Sequence, residues 1–272
     1  AVKKIESPEI KKLISENYRD FLLGAQGPDF FEYHNIWPWK KSNDVSRMSA
    51  FFHGRTVGES IGTMLSRVLQ MPEDEVPAMT AYMMGYVLHY CIDSALHPYI
   101  YYRTGADIQS VQGPERFPAY HKKLECEIDI LLLESMRNST PKQYTPSERI
   151  DVSATSMASL CRLYMYVCKE VYGKTILNED IKEAFISMHE VVDYLVDPAP
   201  LKKLHSAITG ANNKKKGSFA SRYYKPENID RSLDQLNLNR RPWNLTWDTR
   251  YPKTSTVPEM FEEGISNAMP MF

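Results

Sequence analysis

Acids and histidines stand one helical turn apart, inside apolar sequence, at two places in this chain. In LHYCIDSALHP, His89, Asp93 and His97 follow at intervals of four, and residues four apart share a helix face. Three side chains with lone pairs for a metal therefore line one edge. A rise of about 1.5 Å per residue separates His89 from His97 by roughly 12 Å along the axis. That is too far for one ion to bind both, whereas Asp93 has two oxygens able to bridge neighbouring ions. In HKKLECEID, His121 and Glu125 repeat the spacing and Asp129 extends it. Two such pairs on successive helices suggest one polynuclear cluster between them, and imidazole with carboxylate suits zinc better than manganese or iron. The plainer reading makes each pair a helix-stabilising contact worth about a few tenths of a kcal/mol. It weakens for the first ladder, where a carboxylate among Met, Tyr, Val, Cys and Leu carries a large desolvation penalty unless paired or metal-bound.

These residues need long helices to carry them, and the periodicity supplies helices. Ser7 and Pro8 form a cap and first turn, after which Ile10, Leu13, Ile14, Tyr18, Phe21 and Leu22 repeat at helical spacing up to Gly24. A Gly, Pro and aromatic loop follows to Lys41. Short helical patterns fill 44–53 and 56–71. A long helix is expected from about Pro72 to His97 with Pro77 in its first turn, where a missing N–H costs little, and another from Pro118 to Arg137. Two more apolar stripes run through Val152, Leu160, Leu163, Tyr164, Val167, Cys168 and Val171, and through Ile181, Ala184, Phe185, Met188, Val192 and Leu195 behind Asn178. No alternating strand with hairpin turn signals stands out, so the expected fold is all-α, a single multi-helix domain over 1–272. Residues 212–255 read as a mostly irregular excursion, ordered by Tyr223, Tyr224, Trp243 and Trp247 over the helical body, with Lys214 to Lys216 as a solvated loop.

The 272 residues are 43% hydrophobic and 25% charged, an ordinary globular balance that excludes a disordered or fibrous chain. Lys and Arg number 33 against 34 Asp and Glu, so no overall charge favours nucleic acid or anionic lipid. Cys91, Cys126, Cys161 and Cys168 form no CxxC pair and read as reduced core thiols of a cytoplasmic protein. No secretory signal is visible in the first residues. The apolar stretch 76–92 carries Pro77, Thr80 and His89 and runs into Asp93, so no transmembrane segment is expected. His189 and His205 read as surface or edge residues.

GAQGPDFF (24–31), FFHG (51–54), HYCIDSALHPY (89–99) and HKKLECEID (121–129) resemble, in order, the ligand motifs of the zinc-dependent phospholipase C family. That family includes the bacterial phosphatidylcholine-hydrolysing enzymes and the catalytic half of clostridial alpha-toxin. The likeness covers about the first half of the chain. It implies an all-α fold shared with certain zinc nucleases, one zinc held by Asp29, His53, His89 and Asp93, and a second held by His97, His121 and Glu125. Family members bind a third through the terminal amino group or a nearby His. No His precedes His34 here, so the likeness implies either a ligand-bearing segment upstream of Ala1 or a two-metal site. Asp93 and His97 are also closer in sequence than in the well-known members.

The implied reaction is phosphodiester hydrolysis on a phospholipid or related substrate, by water made acidic at zinc, with Asp29 as ligand and candidate base. Phe30 and Phe31, with Tyr33, Trp37 and Trp39, would wall a headgroup pocket or form a small core. His34 competes with His53 as ligand, and its aromatic surroundings favour packing or facing substrate. The alternatives are a zinc nuclease, a metal-binding helical protein that has lost activity, and an interaction module whose pairs are structural. No nucleic-acid partner is expected, and the oligomeric state is left open.

Overall fold

The computed structural model describes residues 1–37, 40–41, 44–105, 117–140, 143–144, 154–196 and 229–272. The helices are α1 (Pro8–Glu16), α2 (Tyr18–Gly24), α3 (Met48–Phe52), α4 (Val57–Val68), α5 (Val76–Thr104), α6 (Phe117–Arg137), α7 (Ala154–Tyr172), α8 (Asn178–Val196) and α9 (Val257–Ala268). A two-stranded antiparallel hairpin joins β1 (Trp243–Leu245) to β2 (Asp248–Lys253). The fold is all-α with this one small sheet among the described residues. None of the described helices is long and apolar enough to cross a membrane. Lys214 to Lys216, Tyr223, Tyr224, Trp39 and His205 lie outside the described residues.

The chain divides into two compact units: Ala1–Cys91, Pro146–Val192 and Ile265–Phe272 in the first, Ile92–Thr145 and Asp193–Gly264 in the second. In the first, the expected stripes form the core. Leu160, Leu163, Tyr164, Val167 and Cys168 are all buried on α7, and Ile181, Ala184, Phe185 and Met188 on α8. Periodicity worked here because each helix has one apolar side to hide. Tyr82 and Tyr164, both fully buried, satisfy each other through their hydroxyls at 2.6 Å. Burial drives both phenols well above their ordinary range. The thiols of Cys91, Cys161 and Cys168 are free and buried, and burial raises Cys161 to about 11 and Cys168 to about 12. Close approach of α2 to α5 depends on glycine: a Cβ on Gly24 would stand 1.9 Å from the Tyr82 carbonyl oxygen, and one on Gly85 2.1 Å from that of Phe21.

Three expectations about elements need correction. The pattern from Ser7 to Gly24 is two helices, broken at Asn17 (φ −121°, ψ 39°), whose side-chain amide donates to the Leu13 carbonyl at 2.9 Å. Asn competes with the backbone for such partners and so ends turns. The long helix does not stop at His97 but runs through Pro98 to Thr104. Proline there withholds only the N–H that would reach the Ser94 carbonyl, and burial of Tyr99 and Ile100 beyond it holds the next turn in place. The hairpin was invisible because its turn, Thr246 and Trp247, has no Asn, Asp or Gly to mark it.

In the second unit, Tyr99 and Ile100 of α5 pack with Leu124, Ile128, Leu131 and Leu132 of α6, Leu236, Trp243, and Val257 and Met260 of α9. From Ile229 onward the backbone is held by side chains of this unit. Arg103 donates to the carbonyls of Leu233 (2.9 Å) and Asp234 (3.0 Å), and Tyr99 to that of Gln235 (3.1 Å). The Asp234 carboxylate accepts from the backbone of Leu238 and Asn239, and Trp243 Nε1 donates to the Ser255 carbonyl at 3.1 Å.

Two candidate metal centres

Asp29 sits in a 3₁₀ turn (Gly27–Tyr33), His53 directly follows α3, and His89 lies on α5. Their ligand atoms converge within the first unit. His53 Nδ1 is 2.8 Å from the Ser49 carbonyl oxygen. A carbonyl only accepts, so Nδ1 carries the proton and Nε2 presents a lone pair, as a metal ligand must. That Nε2 is 3.3 Å from His89 Nε2 and 3.4 Å from Asp29 Oδ1. A tetrahedral zinc with bonds of about 2.0–2.1 Å spaces its ligands by about 3.3–3.4 Å. These two separations therefore match the ligand spacing of a zinc ion, and all three atoms lie within 4.8 Å of one another.

The surroundings keep that geometry. Gly27 has φ +59°, and a Cβ there would fall 2.2 Å from His89 Cδ2 and 2.4 Å from its Nε2, so only glycine leaves room for the imidazole. The buried Ser49 hydroxyl reaches Asp29 Oδ1 at 3.4 Å and Glu32 Oε1 at 3.5 Å. The side chains of His53 and Asp29 remain 28% and 39% exposed, so water and a solute can reach the group.

His97, His121 and Glu125 form the second group, wholly within the second unit. Glu125 Oε1 lies 2.8 Å from His121 Nε2 and 3.5 Å from His97 Nε2, while Oε2 faces Lys122 Nζ at 3.3 Å. On its far side, His97 Nδ1 meets Asp93 Oδ1 at 2.7 Å and the Asp93 carbonyl at 3.1 Å. Two acceptors fix the proton on Nδ1 and turn Nε2 toward Glu125. The Tyr101 ring packs beside both imidazoles, its centroid 5.2 Å from that of His97 and 5.6 Å from that of His121. Burial pushes the His97 pKa down, but the hydrogen bond to Asp93 and the charges of Asp93 and Glu125 outweigh it, and the net shift is upward. Burial likewise pushes Glu125 up, and His121, Lys122 and His97 together bring it below its usual value. In the first group the two separations from His53 stand at ligand spacing. In the second, the 2.8 Å pair is at hydrogen-bond distance and must open by about half an ångström to take zinc with bonds of about 2.0–2.1 Å.

Six of the seven expected ligands thus fall into two groups of three, in the partition that the resemblance implied. Asp93 joins neither group and stands as the partner of His97. His34 is no rival to His53: it is buried, with Nε2 3.1 Å from Asp180 Oδ1 and 3.8 Å from Glu183 Oε2. Phe30 and Phe31 line no open pocket. Both are fully buried, Phe30 stacked on Phe185 with centroids 3.9 Å apart and Phe31 edge-on to Tyr164 at 5.4 Å. In a tight turn, consecutive side chains leave in different directions, so Asp29 reaches the solvent edge while its neighbours enter the core. Asp129 and His189 are exposed. Sequence reasoning missed Ser49, whose signal was the same interval of four that separates it from His53, and Gly27, whose signal was only its place two residues before Asp29. Comparison with protein-family models, curated proteins and solved structures returns no match.

Proposed function

We propose that this chain is a zinc-dependent phosphodiester hydrolase of the phospholipase C type. The observation that carries the reading is the spacing of Asp29, His53 and His89, with the proton of His53 placed on the far nitrogen. Asp29, His53 and His89 would hold one ion and His97, His121 and Glu125 another. Bound zinc supplies positive charge for phosphoryl oxygens and makes hydroxide available near neutral pH.

The chain's own residues do the rest. Ser49 holds the His53 ring and Asp93 the His97 ring in the tautomers that leave Nε2 unprotonated. Asp29, 39% exposed, would be open to take the proton released as water adds to phosphorus. Lys122, held on Glu125 at 3.3 Å, adds a cation beside the second group.

Protein purified without chelators, assayed for metal by elemental analysis and for turnover of a chromogenic phosphodiester, tests the reading. Bound zinc, loss of turnover on chelation and recovery with zinc are expected, together with loss of both zinc and turnover in His89→Ala. Failure to retain zinc at equilibrium with excess metal, or turnover indifferent to chelation, overturns it.

A further inference from the structure

Tyr86, fully buried in the first unit, carries a hydroxyl with no hydrogen-bond partner among the described residues. The other phenols of that core are paired: Tyr82 meets Tyr164 at 2.6 Å, and Tyr172 meets Ser60. A buried hydroxyl loses its water on folding, so one left without an acceptor is a cost that packing does not explain. Tyr86 lies on α5 three residues before His89, a spacing that puts both on one side of the helix. It packs in the same buried cluster as Phe30, which follows Asp29, and Phe52, which precedes His53. The orphan hydroxyl thus shares its core with the sequence neighbours of all three residues of the first metal group. Burial first, and then the charges of Tyr82, Tyr172 and Asp29, hold its pKa well above the ordinary range. The phenol therefore keeps its proton and stays a donor.

Asp29 has room to accept. Its Oδ1 meets the Ser49 hydroxyl and His53, and its Oδ2 accepts no hydrogen bond from the described residues. We infer that Tyr86 is a positioning residue of the first group, its hydroxyl donating to the Asp29 carboxylate once a metal ion draws the three ligands together. A carboxylate bound to metal through one oxygen keeps the other for such a donor, and support of this kind fixes a ligand in place. A phenol donating to an ionised carboxylate makes a charge-assisted bond, and away from water little competes for it. The Ser49 carbonyl already serves the His53 ring in the same manner. On this account the metal-free fold carries the unpaired hydroxyl as a cost that metal binding removes. The inference rests on the first metal group of the proposed function and is independent of the reaction that follows.

Zinc titration of the full chain against a chromophoric chelator, with melting of the same protein in excess chelator, tests this on Tyr86→Phe. The binding step that His89→Ala removes is expected to weaken by on the order of tenfold or more, while the other step stays as in the parent. Melting in chelator is expected not to fall, because the phenylalanine ring fills the same space and no hydrogen bond is lost. Tyr82→Phe, one turn away in the same core, is the mirror image. It breaks the bond to Tyr164, so a lower melting temperature and parental zinc affinity are expected. Parental zinc affinity in Tyr86→Phe, or an equal loss of affinity in Tyr82→Phe, overturns the inference and leaves the phosphodiesterase reading standing. So does a metal-free melting temperature that falls as far in Tyr86→Phe as in Tyr82→Phe, since the hydroxyl would then be an ordinary structural group. A parent that retains no zinc overturns both.

Discussion

Replacing Gly27 with alanine puts a methyl group where the His89 imidazole already stands. The added carbon would lie 2.2 Å from Cδ2 and 2.4 Å from Nε2, whereas non-bonded carbons settle at about 3.5–4.0 Å. The ring must therefore retreat by more than about 1 Å, and metal–ligand distances tolerate only about 0.2 Å. The backbone offers little escape, because φ at Gly27 is +59° and a side chain in that region costs roughly 1–2 kcal/mol. Gly27→Ala is thus expected to weaken zinc binding at the first group by on the order of 10–100-fold, the range seen when a ligand loses its support. Competition against a chromophoric chelator measures this. Melting of the metal-free protein separates ligand displacement from backbone strain, which acts with or without zinc. Gly62→Ala is the control: nothing lies within 4 Å of its added carbon on α4, so it should leave zinc affinity alone and stabilise the helix by about 1 kcal/mol. Parental zinc affinity in Gly27→Ala would refute the placement of His89 as a ligand.

Asp93→Ala takes from His97 Nδ1 its 2.7 Å carboxylate partner and should lower zinc occupancy of the second group by on the order of 10–100-fold, whereas Asp129→Ala, at an exposed position, should leave it unchanged; metal analysis after dialysis compares them. The His97 pKa is raised in the folded metal-free protein, so its stabilising contribution is full below its ordinary value near 6.5 and is lost as pH rises through the higher folded value. Glu125 is lowered, so its contribution is present above about 4.5 and is lost as pH falls through the lower folded value. The metal-free melting temperature should therefore fall above pH 6.5 and less so in His97→Gln, while zinc affinity rises over the same window as the imidazole sheds its competing proton. Tyr164→Phe strands the buried Tyr82 hydroxyl and should cost about 1–3 kcal/mol in a denaturant titration, whereas adding Tyr82→Phe should recover part of the loss.

Spacing along a helix says which side chains are able to meet, and that is why so much of the candidate site was legible. His89 and His121 had to lie on long helices, and Glu125 had to reach His121 because both sit on one face of α6. The α7 and α8 stripes were legible for the same reason, since an apolar face four residues deep has nowhere to go but inward. What spacing leaves open is where each side chain turns. Asp93 lies one turn from His89 and one from His97, and the periodicity that suggested a bridging ligand serves equally to hold the His97 ring from behind, as its 2.7 Å contact does. Phe30 and Phe31 adjoin Asp29 in sequence, yet a 3₁₀ turn sends them into the core beside Phe185 and Tyr164. The hairpin escaped because β1 is only three residues long and its turn lacks the usual residues. A residue that breaks a local rule marks a place to look for what it serves. Gly27 breaks the backbone rule to serve a neighbour inside the fold, and its loss should show in a metal titration of the protein alone.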